Sequence, residues 1–231
     1  MPFFIPRKRK VSVRTTWTRL EKWLQKNLPA AHRSLNHGAT QRQIRDLEKA
    51  TRRTLPDDLK ESLLIHNGQK DVLEGVVFGL LLIPIDWILS DWELMRRVPE
   101  DGAASAEHGS TPIDAVQCCD NHPGWIPLTF DGSGSHLGVD LAPGVKGAWG
   151  QVINFGKSEY NHFAISASWG DFLADLMDEL AAGNYSLVTE DDGRVIFNWK
   201  EPLNYHFCDA LRTLHKERVT RNQPTRRPGS R

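Results

Sequence analysis

The amino-acid sequence predicts an α+β protein in which a central, mainly antiparallel sheet is flanked by helices. Within residues 125–155, three short apolar runs rich in aromatic and β-branched residues are separated by two Gly-rich turns. Such runs, here residues 125–130, 137–141 and 151–155, are typical of consecutive antiparallel strands. Before and after them, apolar residues recur at helical spacing, which predicts amphipathic helices that cover one face of the sheet.

The chain opens with a basic segment and a first helix. Residues 1–15 are rich in Arg, Lys and Pro without a helical or strand period, and we expect them to form a disordered arm. The helix that follows has Thr15 or Thr16 as its cap and ends at Pro29. Its apolar face consists of Trp17, Leu20, Leu24 and Leu28.

Two more helices are predicted between residues 40 and 66. Thr40 and Gln43 have the spacing of a capping box, in which each side chain bonds the backbone N–H of the other residue. The buried stripe of this helix is Ile44, Leu47 and Thr51. The next helix starts at Pro56 and stops at Asn67-Gly68, where glycine supplies a left-handed conformation. Its inward-facing residues are Leu59, Leu63 and Leu64.

The middle of the chain is less regular. Residues 75–78 and 80–83 are predicted to be strands, and residues 85–98 a helix. Residues 99–123 are rich in Ala, Gly, Ser and His, which predicts a long exposed loop. In the central stretch, Asp131-Gly132 predicts a hairpin, because glycine allows the positive φ of a tight turn.

After the central stretch, residues 163–165 predict one more strand. Ser168 is the expected cap of a helix that ends at Gly183. Asp192-Gly193 then predicts a second hairpin, formed by residues 185–189 and 195–199. We therefore divide the chain into the arm at 1–15, an α+β domain at 16–183, a hairpin and helix extension at 184–219, and a basic tail at 220–231.

Charge is distributed unevenly although the formal net charge is zero. Residues 1–60 hold 15 Lys and Arg against 5 Asp and Glu, residues 61–200 hold 7 against 21, and residues 201–231 hold 7 against 3. The acidic middle could steer a basic partner towards the protein, or it could be no more than a solvated surface. We expect nucleic acid to be bound, if at all, only through the basic ends.

Several classes of protein are disfavoured by the composition. No apolar run reaches the length of about 18 residues that a membrane span requires. The N-terminal charges follow the short apolar piece, which is the wrong order for a secretory signal. Three cysteines, two of them adjacent, form no disulfide framework. We therefore expect a cytoplasmic protein without a membrane span.

Residue patterns for catalysis, metals and cofactors are incomplete. The turn at 131–135 has side-chain oxygens at alternate positions, as a calcium loop does, but Ala142 stands where that loop needs Glu. A phosphate loop is excluded because a strand follows the turn, whereas such a loop needs a helix there. No G-x-S-x-G occurs. Cys118-Cys119 lies beside Asp120 and His122, so an activated thiol stays open as an alternative. We predict no enzyme, no metal site and no cofactor.

A series of short motifs between residues 38 and 173 gives the first indication of a family. In order they are Gly38-Ala39-Thr40, Leu55-Pro56-Asp57-Asp58, His66-Asn67-Gly68, Trp125-Ile126-Pro127-Leu128, Asp131-Gly132-Ser133-Gly134, Asp140-Leu141-Ala142-Pro143-Gly144, Gly150-Gln151-Val152-Ile153 and Ser168-Trp169. This ordered set resembles the Smi/Knr family of the SUKH superfamily, which includes yeast cell-wall synthesis regulators and bacterial immunity proteins. The resemblance implies an α+β domain that binds proteins and has no catalytic activity. The family turn often reads Gly-Asn after the Asp-Gly pair, whereas here Ser135-His136 follows Gly134, which weakens any ligand role that the resemblance implies for the turn.

Three functional hypotheses follow from the sequence. The leading hypothesis is an immunity protein that neutralises a toxin, such as a nuclease, because an acidic surface complements a basic active site. The alternative is a regulatory scaffold of cell-wall (glucan) synthesis, whose partner would be a cell-wall signalling protein. The third is an enzyme that uses Cys119 or Asp131. The residues that could contact a partner protein are polar and aromatic residues of the acidic middle: Asp120, Trp125, Asp131, Ser133, His136, Asp140 and Trp149. Trp149 is either exposed on its Gly-rich turn or folded onto the sheet.

Overall fold

Six helices and nine strands are built from residues 12–70, 74–97, 108–157 and 159–200, which are the residues that the computed structural model describes. The helices are α1 (Val13–Asn27), α2 (Pro29–Ser34), α3 (Gln41–Thr51), α4 (Asp57–Ile65), α5 (Ile85–Arg97) and α6 (Trp169–Ala181). The strands are β1 (Leu81–Leu82), β2 (Gly109–Thr111), β3 (Trp125–Pro127), β4 (Thr129–Phe130), β5 (Ser135–Asp140), β6 (Gln151–Gly156), β7 (Asn161–Ser166), β8 (Tyr185–Thr189) and β9 (Val195–Trp199). The predicted helix near residues 203–219 and the predicted tail at 220–231 lie outside the described residues, as does most of the predicted N-terminal arm.

The central sheet has five strands in the order β2-β7-β6-β5-β3. β5 pairs antiparallel with β3 and β6, β6 pairs antiparallel with β7, and β2 joins β7 in parallel. α6 packs against β6 and β7, and α5 packs against β3. The predicted architecture, a mainly antiparallel sheet with flanking helices, is confirmed.

The prediction of one exposed loop at residues 99–123 is wrong for the part that the structure describes. That part contains β2, and Ala115 and Val116 are buried. The Ser110 hydroxyl accepts hydrogen bonds from the backbone N–H groups of Ala115 (3.1 Å) and Val116 (2.9 Å), which folds the segment back onto the sheet. The sequence of this strand is Gly-Ser-Thr, which lacks the alternation of apolar and polar residues that predicts a strand.

Three predicted strands are shorter than expected. The run at 125–130 splits into β3 and β4, because Leu128 accepts a hydrogen bond from Ile83 and β4 pairs with β1 outside the central sheet. The strands predicted at 75–83 reduce to β1 and isolated bridges, because the chain reverses at Phe78 and Gly79, which both have positive φ. Sheet formation in this region is therefore limited by a tight turn.

Helix ends follow local capping chemistry. Thr40 and Gln43 form the predicted capping box at α3, and the Ser168 hydroxyl accepts from Asp171 N–H at the start of α6. α1 begins earlier than predicted, since Ser12 rather than Thr15 or Thr16 is its cap. Leu64, predicted to face inward, is 37% exposed. Among the described residues, no helix combines the length and apolarity that crossing a membrane requires.

The helical layer is organised around one buried hydroxyl. Trp17 on α1 and Trp169 on α6 both donate their indole N–H to the Ser62 hydroxyl on α4, at 2.9 Å and 3.0 Å. All three side chains are buried. Because residues distant in sequence meet at this point, the Ser62 hydroxyl fixes how α1, α4 and α6 pack together.

The C-terminal hairpin forms as predicted, with Gly193 at positive φ in the turn between β8 and β9. Its aromatic side chains pack on the preceding elements: Tyr185 lies 4.9 Å from Trp23 on α1, and Trp199 lies 4.4 Å from Phe78 in the turn before β1, measured between ring centroids. Trp199 belongs to the main apolar core. The hairpin therefore shares a core with the preceding elements, and the boundary placed at 183/184 stays a prediction.

Candidate protein-binding surface

Three large apolar side chains are exposed on two adjoining loops at one end of the sheet. Ile113 is 64% exposed, Val145 is 92% exposed and Trp149 is 53% exposed. Ile113 lies just after β2, and the other two lie in the turn between β5 and β6. We call these three residues the Trp149 patch. Large apolar side chains exposed on neighbouring loops are candidates for an interaction site.

The two loops are joined by direct hydrogen bonds. The Ala115 carbonyl accepts from Gly144 N–H (3.1 Å) and from the Gln151 side-chain amide (2.8 Å). Lys146 N–H donates to the Asp114 carbonyl at 3.0 Å, and the Lys146 ammonium lies 2.9 Å from the Asp114 carboxylate. These bonds hold the residues next to Ile113 and Val145 side by side.

Close approach of the loops also requires glycine. A Cβ on Gly147 would overlap the Ala115 carbonyl oxygen, so no larger residue fits there without moving the turn. Gly150 has a φ of +83°, and a Cβ on it would lie 3.0 Å from Pro56 at the start of α4. The turn that carries Trp149 therefore rests on α4 and on the loop after β2.

Asp140 and Gln151 support this turn from inside. The Asp140 carboxylate accepts from Ala142 N–H and from the Gln151 amide, both at 2.9 Å. The side-chain oxygen Oε1 of Gln151 accepts from Ala148 N–H at 3.0 Å, and Gly150 N–H donates to the Asp140 backbone carbonyl at 2.8 Å. Both ends of the turn are therefore anchored, which presents Trp149 on a defined backbone.

Burial strongly affects the charge of Asp140. Loss of water around its carboxyl group raises the pKa from 3.8 to about 6, although hydrogen bonds from Ala142 and Gln151 act in the opposite direction. The residue is completely buried, so it cannot contact a partner directly as the sequence predicted. Its role in the structure is to hold the turn that carries Trp149.

Trp125 and His136 are buried as well, which removes them from the set of exposed contact residues. The Trp125 ring packs against Phe155 in the second apolar cluster of the core. The His136 Nδ1–H donates to the Thr129 carbonyl at 2.8 Å, and its Nε2 lies 4.0 Å from the Asp91 carboxylate. Burial lowers the pKa of His136. Both residues stabilise the sheet.

Asp131 and Ser133 lie on the predicted turn, between β4 and β5. The Asp131 carboxylate accepts from the N–H groups of Ser133, Gly134 and Ser135 at 2.7, 3.0 and 2.9 Å. Partial burial acts to raise its pKa, but the hydrogen bonds from these residues outweigh it and lower the pKa. This carboxylate closes the turn, and partner contact here stays a prediction.

Asp120 is the remaining predicted contact residue and is exposed. Its carboxylate lies 2.7 Å from His108 Nε2. The neighbouring His122 uses Nδ1 to accept from Gly124 N–H at 3.0 Å, which occupies the nitrogen that an activating base would need. In the described parts of the chain, no three His, Cys, Asp or Glu side chains are grouped as metal ligands.

Sequence reasoning identified Trp149 but missed Ile113 and Val145. Isolated apolar residues in polar loops have no periodicity, so they give no secondary-structure signal. Their occurrence within Gly- and Pro-containing turns was the available indication. Of the seven predicted contact residues, the structure leaves Asp120, Asp131, Ser133 and Trp149 with surface available, and Trp149 lies apart from the 131–135 turn, across the length of β5.

The sheet, the flanking helices and the Gly-rich turns define an α+β domain of the SUKH type. The protein-family model described as SMI1 / KNR4 family (SUKH-1) matches residues 38–175 of this chain. The chain therefore belongs to this family. The resemblance seen in the sequence is thereby confirmed.

Curated relatives are regulators of the cell wall. The chain is 35% identical to "Cell wall biosynthesis/cell cycle regulator smi1" of Schizosaccharomyces pombe, over 95% of this chain and 46% of the relative. It is 32% identical to "Glucan synthesis regulatory protein" of Neurospora crassa, over 78% of this chain and 40% of the relative. It is 29% identical to "Cell wall assembly regulator SMI1" of Saccharomyces cerevisiae, over 80% of this chain and 45% of the relative. The chain thus spans less than half the length of these relatives.

Proposed function

We propose that this chain is a non-catalytic, cytoplasmic regulator of cell-wall and glucan synthesis that works by binding a partner protein through the Trp149 patch. The names of the relatives support the regulatory part of this proposal. They favour the alternative drawn from the sequence over its leading hypothesis, because none of these names describes an immunity protein or a toxin. We therefore place the partner among cell-wall signalling proteins.

The exposed position of Trp149 on an anchored turn is the observation that supports the choice of surface. Aromatic residues dominate the energetics of protein interfaces, because a large ring loses much water-exposed area at a small cost in conformational entropy. The hydrogen bonds of Ala115 and Gln151 order this loop before binding. Preorganisation of this kind reduces the entropy lost when a partner binds.

Replacing Trp149 with Ala and Val145 with Asp should abolish function without unfolding the protein. We expect partner affinity to fall about 30-fold or more, because truncating a central aromatic contact costs about 2 kcal/mol or more. The measurement is growth of Saccharomyces cerevisiae lacking its own relative, with the full chain supplied, in the presence of a glucan-synthesis inhibitor. The control is Leu94→Asp, which places a charge on an exposed apolar site of α5.

The outcomes separate the function from the surface. The proposed function and the assignment of the Trp149 patch are both supported if the unaltered chain and the Leu94 control rescue growth and the Trp149 variant does not. Rescue by all three proteins contradicts the assignment of the patch. Failure of the unaltered chain to rescue contradicts the proposed cell-wall function for this chain. Equal free energies of unfolding among the three proteins exclude misfolding as the reason.

A further inference from the structure

α3 presents a row of basic side chains to solvent. Arg42, Arg45 and Lys49 lie on the exposed side of the helix, and Arg52 continues the row at its C-terminal end. Arg42, Arg45 and Lys49 occur at spacings of three and four residues, which places them on one face of the helix. At about 1.5 Å per residue, the row is about 15 Å long. We call these four residues the α3 basic row.

Within the described residues, most of the row forms no ion pair. Arg42 lies 3.7 Å from Asp46, and both side chains are exposed. Arg45, Lys49 and Arg52 form no ion pair with any described residue. Glu48, the acid beside Lys49, is instead turned towards α4, where it accepts from Leu55 N–H at 2.9 Å. The row therefore keeps a positive surplus.

Helix stability explains only one end of the row, because the helix dipole favours the cations Lys49 and Arg52 at the C-terminal end of α3. Arg42 lies in the first turn of α3, which contains no acidic residue. A cation there is opposed by the positive end of the helix dipole. The buried face of α3 is Ile44, Leu47 and Thr51, so the basic side chains also contribute nothing to the core. Such an arrangement is better explained by an external anionic ligand.

The surroundings limit what kind of anion fits. The helices α4 and α5, which pack against α3, together hold six Asp and Glu against three Lys and Arg, so a long polyanion such as nucleic acid would extend over repelling charge. At physiological salt, attraction acts over only about 8 Å, which favours a short ligand. The other exposed positions of α3 include Gln41, Gln43 and Ala50, with no aromatic ring to stack on bases or enter a bilayer.

We propose that the α3 basic row binds a short segment rich in Asp and Glu from a partner protein. An extended peptide advances about 3.3 Å per residue, so about five residues span the row. This contact is separate from the Trp149 patch and does not depend on the proposed cell-wall function. It gives the protein a second surface, whose binding is electrostatic and salt-dependent.

The test uses the full chain and a labelled peptide of about ten Glu residues. The variant Arg45→Gln/Lys49→Gln/Arg52→Gln removes the unpaired charges, and Arg19→Gln/Lys22→Gln/Lys26→Gln removes three charges from α1 as a matched control. We expect the α3 variant to bind the peptide about tenfold more weakly than the unaltered chain, because three exposed charge contacts are lost. The α1 control should bind less than about twofold more weakly. Raising the salt from about 50 to about 300 mM should remove this difference.

Three results would overturn the proposal. The first is equal weakening by the α3 and α1 variants, which would indicate unspecific attraction. The second is loss of binding in Arg7→Gln/Lys8→Gln/Arg9→Gln/Lys10→Gln but not in the α3 variant, which would place the contact in the N-terminal segment. The third is tighter, α3-dependent binding of an oligonucleotide or of anionic vesicles, which would assign the row to another class of ligand.

Discussion

Replacing Ser62 with alanine is expected to lower the free energy of unfolding by about 3 kcal/mol. The Ser62 hydroxyl accepts the indole N–H groups of Trp17 and Trp169, and all three residues are buried. Alanine leaves two buried donors without a partner, and each orphaned donor costs about 1–3 kcal/mol. The measurement is urea unfolding of the variant and of the unaltered chain.

A double-mutant cycle identifies the cause of this loss. Trp17→Phe removes one of the two donors, so it should cost less in the Ser62→Ala background than in the unaltered protein, by about 1 kcal/mol. Ser90→Ala, on the exposed side of α5, is the matched control and should change stability by less than about 0.5 kcal/mol. Additive effects of Trp17→Phe and Ser62→Ala would contradict the importance of this hydrogen bond.

The second large effect is a pH dependence that originates in Asp140. The pKa of this buried carboxyl is raised from 3.8 to about 6 in the folded protein. Its contribution to stability is therefore complete only below about pH 3, where the carboxyl is protonated in both states, and is lost as the pH rises through about 6. At about 1.4 kcal/mol per pKa unit, the loss amounts to about 3 kcal/mol.

Comparison with Asp140→Asn isolates this contribution, because asparagine does not titrate and the other groups titrate equally in both proteins. We expect the free energy of unfolding of the unaltered chain, minus that of the variant, to fall by about 2.4 kcal/mol between about pH 4 and about pH 7.5. Urea unfolding at several pH values measures it. A difference that stays constant across this range would show that Asp140 has an ordinary pKa in the folded protein.

Local chemistry made part of the fold predictable. The capping box of Thr40 and Gln43, the Ser168 cap and the hairpin at Gly193 each depend on residues within a few positions of one another. The sequence therefore contains the whole signal for them. The same holds for the Asp131 turn, in which the carboxylate bonds the next backbone N–H groups along the chain.

Features that depend on distant partners could not be predicted. β2 is a strand only because β7, about fifty positions away, pairs with it. Asp140 and His136 look like surface residues in the sequence, but Gln151 and Thr129 across their hairpins provide polar partners in the interior. For the candidate surface, the sequence indicated Trp149, whereas the approach of the loop that carries Ile113 depends on hydrogen bonds between two distant loops.

The exposure of Trp149 makes it a built-in optical reporter. All eight tryptophans lie in the described residues, and of these Trp149 alone is classed as exposed, whereas Trp23 and Trp87 are half-buried and the other five are buried. A water-soluble quencher such as iodide should therefore extinguish Trp149 emission first. A protein that covers this indole will shield it, so occupancy can be followed by intrinsic fluorescence without attaching a dye.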